Sequence, residues 1–224
     1  VLGERCSGTH FVVSAISQNF TITYTNKSFL SKHFFGHKSV VYSDDDIQNT
    51  LFICVVRDPV DWIDSFFKRT HHVPPKNKLT IESFVQNEWY SIYETMTKSG
   101  GIKGEEIMED RNMITQERYK NIFELRKVKI DYFLHTMKQK AKHFLLLRYE
   151  DLRDDYENTL HSIKTQFNLV QSCNPFKRID KYKGTYTELY SKKPILLTAE
   201  IQEYIKQNVD AEQEALIVNS SFSK

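Results

Sequence analysis

At 224 residues, with 40% hydrophobic and 27% charged side chains, the chain reads as one globular domain, 1–224, long enough to bury a real core. Its net charge of +2 is too small to point to nucleic acid, and no apolar run approaches the roughly 18 residues of a membrane span. Three well-separated cysteines, Cys6, Cys54 and Cys173, make no disulfide framework, which points toward a reducing, cytoplasmic compartment. The chain begins without Met at what reads as a strand end. That suggests a natural N-terminus that is missing, and a Golgi-lumenal location is the other expectation if an anchor precedes it.

In chain order, apolar runs flanked by turn chemistry alternate with segments of helical period, which predicts an α/β domain with a central parallel sheet flanked by helices. A first helix is expected from about Thr9 to Gln18, and the β-branched TITYT reads as a short strand. SFLSKHFF reads as a further strand or strand-loop. LFICVV, Leu51–Val56, is apolar throughout, as a parallel strand covered on both faces should be. Asp58-Pro59 then supplies an N-cap and a proline at the first helical position for a helix through WIDSFFKR.

After the polar loop HHVPPKNKLT, IESFVQNEWYSIYETM reads as a helix and KSGGIKGEE as a glycine-rich loop. The strongest helical period covers about Thr115 to Lys140, where Ile122, Phe123, Ile130, Phe133, Leu134 and Met137 recur. FLLLRYEDL reads as a second buried strand. Tyr156, Leu160, Ile163 and Phe167 mark an amphipathic helix, KRIDKYKGTY a basic loop, and Ala199 to Ile217 a last helix.

Two stretches carry candidate chemistry. In GERCSGTHF the backbone N–H groups at a helix start attract anions, Gly8 allows close approach, Ser7 and Thr9 add hydroxyls and Arg5 a charge. The plainer reading is that Ser7 or Thr9 caps the helix. No Gly-Lys-Ser/Thr is present, which argues against a Walker-type nucleotide loop. In RDPVDWIDS, Arg57 at the strand end and Ser65 about two turns into the helix could share one phosphate, with the arginine bidentate. The alternative is an Arg57–Asp58 or Arg57–Asp61 pair with Ser65 on a solvated face. His71-His72 and Asp44-Asp45-Asp46 read as a solvent loop and a helix start. Trp62 and Trp89 read as core, and Trp89, Tyr90 and Tyr93 are candidates to line a cleft.

Taken together, CSGTHF resembles the 5′-phosphosulfate loop of sulfotransferases, K-S-G-T-T-W, and RDPVDWIDS resembles their 3′-phosphate motif, R-x-P with serine eight residues after the arginine. FLLLRYEDL and KYKGTYTELY are similar to later segments of that family. The resemblance implies a P-loop-like sulfotransferase architecture related to P-loop kinases. It also implies transfer of a sulfuryl group from 3′-phosphoadenosine 5′-phosphosulfate to an acceptor hydroxyl, releasing 3′,5′-adenosine bisphosphate without a metal.

Carried over by position, Arg5, Cys6, Ser7, Gly8, Thr9 and His10 would hold the 5′-phosphosulfate, with Phe11 on the adenine. Arg57 and Ser65 would hold the 3′-phosphate, assisted by Lys181, Lys183 and Gly184. His33 would be the base, with His37 or a carboxylate as alternatives. Cys6 replaces the family lysine, so Arg5 or Lys32 is expected to stabilise the leaving phosphate. A carbohydrate acceptor is the family-level expectation, with a peptide tyrosine or small alcohol also open. A non-catalytic nucleotide- or partner-binding protein on the same fold, and a P-loop small-molecule kinase, are the rival readings.

Overall fold

A computed structural model describes residues 1–24, 32–37, 41–97, 100–181, 189 and 194–220. Three parallel strands, β1 (Leu2–Gly3), β2 (Leu51–Val56) and β3 (His143–Arg148), form one sheet in the order β1-β2-β3. Leu2 lies opposite Cys54, Gly3 opposite Val55, and β2 runs against β3 from Leu51–His143 to Val56–Arg148. The α/β expectation therefore holds as a three-stranded parallel sheet flanked by helices.

The all-apolar run of β2 has the cause expected of it, because both its faces are covered. Ile53 and Val55 pack with Val12, Ala15 and Ile16 of α1 (Thr9–Asn19) and with Leu160 and Ile163 of α8 (Tyr156–Phe167). On the other face, Phe52, Cys54 and Val56 meet Ile130 of α5 (Ile122–Asp131), Phe133 and Met137 of the π-helical turn Tyr132–Met137, and Ile217 of α10 (Ala211–Asn219). A third cluster joins α3 (Pro59–Phe67), α4 (Ile81–Gln86), α5 and α9 (Ala199–Asn208). Trp62 and Trp89 are both fully buried within it.

Local chemistry sets most boundaries. The Asp58 carboxylate accepts from Val60 N and Asp61 N with Pro59 at the first position of α3, as the sequence predicts. Ser43 and Asp46 form a reciprocal capping box at α2 (Asp44–Asn49), so the three aspartates open a helix.

Several expectations are corrected. Residues 21–24 of TITYT form no strand; Ile22 and Tyr24 are exposed, and Thr21 N makes one bond to Val170 O. Residues 32–37 form turns, with Phe34 and Phe35 buried; the earlier part of SFLSKHFF lies outside the described residues. The helix expected over IESFVQNEWYSIYETM stops at Gln86, because Trp89 exchanges both backbone bonds with Tyr119 and drops its ring between Phe66 and Phe84.

The long helix starts at Ile122 rather than Thr115, where Asn121 caps Phe123 N and Glu124 N. After its π-helical turn it ends in the single turn α6 (Lys138–Lys140). β3 ends at Arg148, and YEDL belongs to a helix, α7 (Tyr149–Asp154). The last helix is two, divided where Asp210 caps α10.

Phe66 is 0% exposed and touches Trp62, Phe84 and Trp89. Phe66→Ala should cost about 3–5 kcal/mol, the range for emptying an aromatic core site. Urea denaturation of the two proteins measures it as a lowered midpoint at unchanged slope.

Candidate functional site

Because β1 and β2 are parallel neighbours, the loops leaving their carboxyl ends must lie side by side, at the edge where open α/β sheets bind ligands. Residues 4–8 and Arg57 are thereby brought together although 51 positions separate Cys6 from Arg57. Tyr149, directly after β3, closes the third side. Gly8 has φ 97° and a Cβ there would overlap the Tyr149 ring, so both its backbone angle and its contact require glycine.

The N-terminus of α1 is free of side-chain caps and has no acidic residue in its first turn. Neither Ser7 nor Thr9 plays the capping role. The helix dipole and the N–H groups of the first turn are uncompensated by side chains there, which is the electrostatic requirement for an anion.

Arg57 supplies the matching charge. Its Nη1 donates to Cys6 O at 3.1 Å, its guanidinium lies 4.8 Å from the Tyr149 ring centroid, and Arg126 holds its carbonyl at 2.9 Å. Among the described residues no carboxylate pairs with it: Asp58 is spent on the α3 cap and Asp61 faces Arg153 at 3.4 Å. The expected alternative, an Arg57–Asp58 or Arg57–Asp61 pair, is not what forms. Ser65 reaches the loop from α3 through the Cys6 thiol, to which it hydrogen-bonds.

Cys6 adopts φ 64°. Burial pushes its thiol above the ordinary value, opposed by Arg5, Arg57, Arg69 and the Ser65 hydrogen bond.

Arg5 is the principal correction. Its side chain is 2% exposed and turns inward, Nη1 donating to Ser91 Oγ at 2.6 Å and His71 O at 3.3 Å, and Nη2 to Asp110 at 3.0 Å. Phe66 packs against the guanidinium at 4.9 Å, and Trp62 Nε1 donates to the Arg5 carbonyl. It does not face the open side of the loop, so it is not placed as the cation for a leaving phosphate. Lys129 joins the same cluster, bonded to Glu4, Asp110 and His33 O.

His33 is half-buried with Nδ1 2.7 Å from Gly3 O. Donation from Nδ1 to that carbonyl leaves the ring lone pair on Nε2. Burial holds its pKa well below the ordinary value, opposed by the Gly3 bond and reinforced by Lys32, Arg5 and Lys129. Lys32 O receives Gly3 N at 3.1 Å, so this turn is stitched to the base of the loop.

Other expected site residues fall elsewhere. Ser7 is 2% exposed and Thr9 is buried against Gly3, whereas His10 is exposed. Phe11 packs edge-on to Tyr149 at 5.8 Å, at the rim of the site. Lys181 is exposed and bridges Leu189; Lys183 and Gly184 lie outside the described residues.

Glu4, Ser91, Asp110 and Lys129 went unforeseen. Only Lys129 had a readable signal, since with Arg126 it interrupts the apolar stripe Ile122–Phe133 at helical spacing. No family model, curated protein or solved structure matches the chain.

Asp110 is 0% exposed at its side chain and opposes two cations. Asp110→Asn should cost about 3–5 kcal/mol by leaving a buried charge uncompensated. Adding Lys129→Met should recover part of that loss, read as a non-additive double-mutant cycle in denaturant.

For His33, the unfolded chain binds a proton near its ordinary value, about 6.5, while the folded chain resists it to lower pH. Its stability contribution is thus complete above that value and falls as pH drops below it. Denaturation midpoints between pH 5 and 8 should fall less steeply toward acid in His33→Gln than in the wild type.

Proposed function

We propose that the chain transfers a sulfuryl group from 3′-phosphoadenosine 5′-phosphosulfate to an acceptor hydroxyl. The observation that carries this reading is Arg57. Its guanidinium has no carboxylate partner among the described residues and is anchored through Cys6 O beside the side-chain-free N-terminus of α1. A fixed cation and a helix N-terminus at the carboxyl end of a parallel sheet suit a ligand with separate phosphate groups.

The chemistry divides among the chain's own residues. His33 Nε2 would take the proton of the acceptor hydroxyl, and its depressed pKa keeps it unprotonated at neutral pH. The acceptor oxygen then bonds to sulfur as the bond between sulfur and the phosphate oxygen breaks, and 3′,5′-adenosine bisphosphate departs. The N–H groups of α1 and Arg57 would carry the charge of the leaving phosphate, the work fixed dipoles do without reorganisation. Lys32, in the turn bonded to Gly3 N, is the second cation proposed for this role. A carbohydrate is the acceptor class the family resemblance favours.

The inward commitment of Arg5 to Asp110 favours a second reading, a nucleotide-binding protein on this fold without turnover. The two readings agree on binding and differ on chemistry.

Thermal shift with 3′,5′-adenosine bisphosphate tests the binding they share. At about 100 times its dissociation constant the ligand should add roughly 2.7 kcal/mol of stability, and Arg57→Ala should remove that gain. A shift with ATP and magnesium but none with the bisphosphate would instead identify a kinase-like site. Release of bisphosphate from the donor in the wild type, abolished in His33→Ala with binding intact, separates transfer from binding alone.

A further inference from the structure

A cavity of about 20 Å³ lies beneath the loop, lined by Glu4, Ser7, Arg57, Trp62, Arg126 and Lys129, with apolar side chains of β2, α5 and the turn after it. Three polar atoms of these lining residues are buried and have no hydrogen-bond partner: Glu4 Oε2, Ser7 Oγ and Arg57 Nε. They comprise an acceptor, a donor-acceptor and a donor. The neighbouring contact of Glu4 Oε2, to Arg5 Nε at 3.6 Å, is too long to satisfy either atom.

The chemistry narrows the occupant. A cation would meet Arg57, Arg126 and Lys129, and an anion would meet the Glu4 carboxylate. A water molecule needs roughly 10–15 Å³ and two to four polar partners. It can accept from Arg57 Nε while donating to Glu4 Oε2 and sharing a bond with Ser7 Oγ.

We propose that one internal water occupies this cavity and joins Glu4, Ser7 and Arg57. Ser7 is then a ligand of that water rather than of an anion outside the loop, which separates it from the role its place in CSGTHF implies. Arg57 is fixed on two sides, by Cys6 O through Nη1 and by the water through Nε, which links it to the Glu4 carboxylate without a direct ion pair. This proposal does not depend on what the outer face of the loop binds.

A crystal structure of the wild-type chain, at a resolution that shows ordered water, tests it. The expected result is one fully occupied water within roughly 2.6–3.2 Å of Glu4 Oε2, Ser7 Oγ and Arg57 Nε. A cavity closed by direct contact between Glu4 and Arg57, or free of density, overturns it. In solution, water magnetic relaxation dispersion should count one fewer long-lived water in Ser7→Val, which removes a partner and fills the space, than in the wild type, and an unchanged count overturns it.

Discussion

Two cations and two carboxylates, Arg5, Lys129, Glu4 and Asp110, share one buried cluster beneath the first loop. Their formal charges cancel, so the group can leave water only as a set, and loss of any member strands its partner. The cluster ties together the β1 loop, the His33 turn, the irregular stretch holding Ser91 and Asp110, and α5. The described residues of 87–107 form no helix or strand; isolated bridges (Trp89 with Tyr119, Ile92 with Glu106) and backbone bonds such as Ile107 N to Ser91 O hold them. Asp110, through Arg5 and Ser91, adds a side-chain tie to these backbone contacts.

This commitment of Arg5 decides where positive charge remains for a ligand. Near the loop, acidic groups are already engaged: Asp58 on the α3 N–H groups, Asp61 opposite Arg153, Glu214 on Arg126. Glu150 accepts from Asp58 N, and burial raises its carboxyl pKa. Arg57 is left against an aromatic ring and a carbonyl, neither of which neutralises it. The functional reading therefore rests less on the opening loop's own arginine than on the second loop, which the sheet delivers beside it.

Legibility followed the range of the interaction. β2 and the start of α3 were readable because an apolar run and an Asp-Pro pair act over a few residues. The helix over IESFVQNEWYSIYETM was misread because a distant partner, Tyr119, outcompeted local propensity for Trp89. TITYT has β-branched composition yet finds no strand to pair with over its described residues, and propensity alone does not make a sheet. In the site, the two motifs were readable as phosphate-loop chemistry, whereas their adjacency comes from the parallel pairing of β1 with β2. Arg5's direction was not readable, because it is set by Ser91 and Asp110, 86 and 105 positions away. Lys129 left a trace as a charge on an apolar helical stripe, whereas Asp110 lies in a short 3₁₀ turn without such a pattern.

Cys6 sharpens the consequence for mechanism. Its backbone is left-handed, at φ 64°, and its thiol contacts Ser65 of α3 and the Arg69 carbonyl just beyond that helix. A side chain at this position leaves the loop toward the second motif, and a longer cationic one would follow that path toward Ser65 and the Arg57 neighbourhood. With cysteine there, and Arg5 buried in its own network, the proposed leaving anion would meet backbone N–H groups and Arg57 instead of a loop lysine. Such dipoles are fixed by the helix and carry no titratable proton, so their contribution would not vary with pH. In the proposed reaction, acid-side loss of turnover should then trace to His33, because protonation at Nε2 would remove it from its proposed task.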